Sequence, residues 1–132
     1  VTAKRCRAGV GAAPFQPAGA HALNHEQEWL RGMVAELATG RDILVAGLRE
    51  AGLQVHDTSG TYFVVADIGE SGDGLQFCRD LPERIGVAAI PVQGFCDDPG
   101  PWRSKVRFAF GKQHGTLRRG VGRLRLLDSR QG

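Results

Sequence analysis

Apolar residues recur at mostly three- and four-residue spacing through one long stretch of this chain: Trp29, Leu30, Met33, Leu37, Leu44 and Leu48. That period predicts an amphipathic helix over residues 26–51. Asn24 is placed to cap it, with Gln27 three residues later in capping-box register. Gly52 stands where a glycine ends a helix. Gly32, Gly40 and Gly47 lie inside, each expected to cost about 1 kcal/mol relative to alanine, so this helix must lean on packing. The period then shortens. Residues 53–56 predict a short strand, residues 57–60 a turn, and residues 61–67 a strand rich in β-branched and aromatic side chains, the two pairing as a hairpin. Asp73 is the expected cap of a helix running to about residue 84, with Pro82 kinking or shortening its last turn. The apolar run 87–90 predicts a buried strand, 94–104 a loop, 106–110 the last strand, and 116–127 a terminal helix with Leu117, Val121, Leu124 and Leu127 on one face. Residues 1–23 hold no period. Gly9, Gly11, Pro14, Pro17 and Gly19 interrupt them, and an irregular or partly helical lead-in is expected.

The order is helix, strand, strand, helix, strand, strand, helix. It predicts a two-layer α+β fold, with helices covering one face of a small sheet. The expected division falls after residue 23, leaving 24–132 as the domain with its long N-terminal helix.

Bulk composition narrows the picture modestly. A chain of 132 residues has room for one domain with a hydrophobic core. Its net charge of +3 is too mild to argue nucleic-acid binding, although Arg118, Arg119, Arg123, Arg125 and Arg130 crowd the C-terminus. Cys6, Cys78 and Cys96 form no metal-binding pair and read as free thiols of a cytoplasmic protein. No apolar run is long enough to span a bilayer. Because it opens on Val1 rather than Met, the chain is expected to be a fragment or a trimmed chain.

The candidate chemistry centres on Val106-Arg107-Phe108-Ala109-Phe110. Strand alternation turns Arg107 to the face opposite Val106 and Phe108. A guanidinium keeps its charge, so it requires water or an anionic partner, and its planar fork suits a carboxylate. The bland alternative is a sheet-edge arginine paired with a surface acid.

The order of motifs around Arg107 resembles the C-terminal small domain of the class I/II pyridoxal-phosphate-dependent aminotransferases. Phe15-Gln16-Pro17-Ala18 resembles the segment before that family's long interdomain helix, and Leu48-Arg49-Glu50-Ala51-Gly52-Leu53 the end of it. Gly60-Thr61-Tyr62-Phe63 with Ala66-Asp67 resembles the glycine-aromatic hairpin, and Phe77-Cys78 with Leu81 the next helix. Val87 to Pro91, then Gly94-Phe95, resembles the following strand and active-site loop, and Val106-Arg107-Phe108 the carboxylate-binding strand. The pattern is most similar to actinobacterial enzymes related to succinyldiaminopimelate, kynurenine and methionine aminotransferases. The resemblance implies amino-group transfer between an amino acid and a 2-oxo acid. Arg107 would hold the substrate α-carboxylate, Phe95 and Tyr62 would line the substrate side, and Gln16 would lie near a subunit interface. It also implies a homo-oligomer, or a partner supplying the large domain.

One family motif is not matched in this sequence. The family's Schiff-base lysine sits in a Ser-x-x-Lys context followed by Gly-Trp-Arg. Lys4 has Val1 at the serine position and Val10 at the glycine position, and reads as a surface lysine. No residue is therefore assigned a catalytic or cofactor-binding role, and the chain alone is expected to be inactive, because transamination needs a lysine amine. Two alternatives remain: a non-enzymatic interaction or regulatory domain kept on the same fold, and a basic nucleic-acid-binding domain on the terminal helix. His21 and His25 lack a third ligand, so no metal site is assigned; His56-Asp57 reads as turn chemistry, and Trp29 and Trp102 as packing residues.

Overall fold

The computed structural model of the chain describes residues 15–69 and 72–127, in two compact units divided between Ala35 and Glu36. Lys4 and Cys6 lie outside the described residues. The described part of the first unit is helical. Helix α1 spans Gln16–His25 and α2, which continues into the second unit, spans Gln27–Glu50. Asn24 lies in the last turn of α1 instead of capping the long helix as expected, and the interruption falls at Glu26, whose N–H still reaches the Ala22 carbonyl at 2.9 Å. The physical reason is local. Pro17 occupies the first turn, where its missing N–H costs nothing, and Ala18, Ala20, Ala22 and Leu23 favour helix. Trp29, expected to pack, is 66% exposed.

In the second unit, four strands form one antiparallel sheet in the order β1-β2-β4-β3. They are β1 (Gln54–Val55), β2 (Phe63–Asp67), β3 (Ile90–Pro91) and β4 (Lys105–Ala109). Helix α3 (Gly74–Ile85) lies between β2 and β3 in sequence, and α4 (His114–Leu124) follows β4. Asp73 caps α3 as expected, its Oδ1 accepting from the Leu75 and Gln76 N–H groups. Pro82 does not end the helix; it runs to Ile85 and closes on Gly86, whose φ of +66° suits a residue without a Cβ. The run 87–90 is not a buried strand. Only Ile90–Pro91 pair, at the sheet edge, and residues 87–90 alternate half-buried with exposed.

The alternation of β2 and β4 divides the sheet's two faces. Val64, Ala66, Val106 and Phe108 are buried, and they form one core with Leu44 and Leu48 of α2, Leu81 of α3, and Leu117, Val121 and Leu124 of α4. Two glycines expected to weaken α2 are contact points of this core. A Cβ on Gly47 would overlap both methyls of Val121, and one on Gly40 would sit 3.0 Å from the Phe110 carbonyl oxygen and 3.1 Å from Leu117. Glycine lets α2 approach α4 closely, and tertiary packing offsets its poor propensity.

Candidate functional site

The other face of the sheet carries Arg107. Register sets its neighbours. Arg107 pairs with Val65 of β2 on one side and Ile90 of β3 on the other, while Phe63 lies two pairs along, opposite Ala109. Phe63, Val65 and Arg107 therefore share this face. After Ile90, Pro91 leads into a 3-10 turn, Val92–Phe95, which carries Phe95 back over the strand. The Arg107 guanidinium carbon lies 4.4 Å from the centre of the Phe95 ring and 4.9 Å from the centre of the Phe63 ring. Both distances suit cation–π attraction. Among the described residues Arg107 has no carboxylate partner and no hydrogen-bond acceptor. The aromatic contacts thus attract the cation without using its N–H donors.

Two of the expected substrate-side residues, Arg107 and Phe95, meet directly. Tyr62 stands one ring away, edge-on to Phe63 at 5.6 Å. Its carbonyl accepts the Phe110 N–H at 2.8 Å and the Gly111 N–H at 3.3 Å, which fixes the hairpin end beside β4. Thr61, just before it, has a φ of +61°, a strained left-handed conformation for a β-branched residue. Gln16 opens α1 in the first unit. Phe63 also reaches Arg107, a contact the sequence pattern does not predict. Its place in Gly60-Thr61-Tyr62-Phe63 was visible, but its partnership with Arg107 depends on strand register.

Farther along the same face, Lys105 Nζ donates to Asp67 Oδ2 at 2.7 Å. Burial alone would raise the Asp67 carboxyl; hydrogen bonds from Lys105, Ser104 and the Gly69 N–H, with the Lys105 charge, hold it below its ordinary value of 3.8. Burial pushes the Cys78 thiol up to about 11, which leaves it protonated and unreactive at neutral pH. The Cys96 sulfur faces the Val92 carbonyl at 3.7 Å. The His21 and His25 rings stack at 4.3 Å, and no metal-sized cluster of ligands occurs among the described residues. Trp102, read as packing, is 42% exposed. No helix among the described residues is long and apolar enough to cross a membrane.

The arrangement has relatives. The family model for aminotransferase class I and II matches residues 3–124. The chain is 44% identical over 138 residues to the probable N-succinyldiaminopimelate aminotransferase DapC of Mycobacterium tuberculosis, covering 97% of this chain and 35% of that protein. It is 38% identical over 116 residues to methionine aminotransferase of Escherichia coli K12, covering 86% of this chain and 30% of that one. The solved structure of the M. tuberculosis N-succinyldiaminopimelate aminotransferase superposes with a TM-score of 0.83 at 46% identity, over 96% of this chain and 33% of that chain. This chain thus spans about a third of the length of the relatives it matches.

Proposed function

The chain belongs to the class I and II aminotransferase family, and on that premise we propose that its outer sheet face is the carboxylate-holding part of an enzyme moving an amino group between an amino acid and a 2-oxo acid. One observation carries the reading: Arg107 is held between Phe63 and Phe95 without an acid of its own among the described residues. Its fork is free to donate two parallel charge-assisted hydrogen bonds to a substrate α-carboxylate. The flanking rings restrict the guanidinium, so less freedom is lost when the carboxylate arrives. Phe95 and Tyr62 would then bound the substrate side chain. Gln16 would approach a subunit interface in an oligomer.

This part of the machinery positions the substrate; positioning lowers a barrier but moves no proton by itself. The family's chemistry generally uses pyridoxal phosphate, which supplies an electron sink when bound. The described residues do not fit its covalent attachment. Lys105 is committed to Asp67 at 2.7 Å, and Lys112 lies past the end of β4, against the cavity on the covered side of the sheet. We assign the attachment lysine to sequence outside the described residues.

No observation favours the interaction-domain or nucleic-acid alternatives. The arginines of the terminal segment are partly taken up by the fold. Arg123 donates to the Gly86 carbonyl at 3.0 Å, and Arg125 donates twice to one oxygen of Glu50, at 2.7 and 3.1 Å.

The test is a titration of the chain with glutamate and with 2-oxoglutarate, following the Arg107 Nε–H resonance by NMR. Saturable shifts at Arg107 and at the Phe63 and Phe95 rings are expected, and loss of binding in Arg107→Ala. Binding that is unchanged in Arg107→Ala would overturn the assignment.

A further inference from the structure

On the covered side of the sheet lies a second feature, independent of Arg107: a cavity of about 320 Å³ between α4, the end of β4 and the segment after α3. Its inner wall is core. Phe108, Leu117 and Leu124 line it, and each is at most 5% exposed. Lys112, Arg119 and Arg123 line it as well, and no acidic residue does. None of these three cations forms an ion pair among the described residues. Arg123 spends one donor on the Gly86 carbonyl at 3.0 Å, and Arg119 spends one on the Thr116 hydroxyl at 3.1 Å. Each fork keeps further N–H groups for a ligand.

A mere packing gap would be dry and apolar throughout. This hollow is different: Lys112, Arg119 and Arg123 on its lining are exposed, so an anion can reach three like charges with no acid among them. The volume falls within the range of small-molecule pockets, and apolar walls with a few convergent polar groups are the usual composition of such pockets. We propose that this cavity binds an amphiphilic anion: a compact apolar body seated against Phe108, Leu117 and Leu124, with a phosphate or carboxylate head held by Lys112, Arg119 and Arg123. Arg107 stands on the opposite sheet face and does not line the cavity.

Calorimetric titration of the chain with 2-naphthyl phosphate tests this, with 2-naphthol and inorganic phosphate as the apolar and anionic halves alone. The naphthyl phosphate is expected to bind at least about tenfold more tightly than either half, and Arg119→Gln to weaken it about tenfold, the effect of one charge-assisted hydrogen bond. Gly120 also lines the cavity, and a Cβ there meets nothing within 4 Å. Gly120→Leu therefore adds bulk at the lining with no clash at its Cβ, and is expected to abolish binding while leaving every cation in place. Arg107→Ala should bind as the parent does. Equal binding of inorganic phosphate, retention in both Arg119→Gln and Gly120→Leu, or loss in Arg107→Ala would each overturn the proposal.

Discussion

The two faces of this four-stranded sheet are made from the same ten β2 and β4 residues, yet they behave as different materials. On the covered face, Val64, Ala66, Val106 and Phe108 are close-packed against three helices. On the outer face, Phe63 and Phe95 touch a charged group. The first face holds the fold together by excluding water over a large apolar area. The second keeps an arginine accessible, and its neighbours shape that cation without neutralising it. Alternation along a strand separates stability from recognition by a single residue step.

The sharpest way to break the comparison is to empty the covered face. Leu48 is fully buried, and Leu48→Ala should cost about 2–5 kcal/mol, read by denaturant unfolding. A loss below about 1 kcal/mol would mean that the helix layer is loosely packed.

Overfilling the same layer comes next. Gly47→Ala puts a methyl group into Val121 and should destabilise by about 1–3 kcal/mol, against the helix preference for alanine. Gly32→Ala, where the new Cβ meets nothing within 4 Å, should stabilise instead, by up to about 1 kcal/mol. The opposite signs in one helix, measured by thermal unfolding, distinguish close approach from simple propensity.

The outer face should respond less. Arg107→Ala removes two cation–π contacts and should cost about 1 kcal/mol of stability while eliminating carboxylate binding. A destabilisation equal to that of Leu48→Ala would make Arg107 a structural residue and end the contrast.

The smallest effect is that of pH on the Lys105–Asp67 pair. Asp67 has its carboxyl pKa depressed in the folded chain. Its stabilising contribution is fully present above the unfolded-state value and is lost as pH falls through the lower folded value. Stability should therefore drop below about pH 4, and Asp67→Asn should flatten that drop while lowering stability at neutral pH. An acid profile identical in the two proteins would show that the pair contributes nothing.

Local signals made much of this legible. The Asp73 cap, the Gly52 helix end, the hairpin of β1 and β2, and the core face of α4 each depend on a few adjacent residues, and each is found where it was expected. Expectation failed where distant packing or edge position decides. Gly40 and Gly47 read as weak points and are contacts. Residues 87–90 read as interior and supply only the start of an edge strand. Asn24 read as a cap and lies inside a helix, because the alanine-rich segment before it outweighed Gly19, and Pro17 falls in the first turn, where it is tolerated.

The candidate site divides along the same line. The sequence alone determined that Arg107 faces away from Val106 and Phe108, because a strand alternates whatever it pairs with. It also carried the ordered motifs of the aminotransferase family. Only the tertiary structure decided that Phe63 and Phe95 flank the guanidinium and that Lys105 is tied to Asp67 instead of standing free. Those facts depend on which residue of one strand meets which residue of another, and on how the turn after Pro91 folds back. Register is set by burying the opposite face, a property of the assembled core that no local stretch of sequence contains.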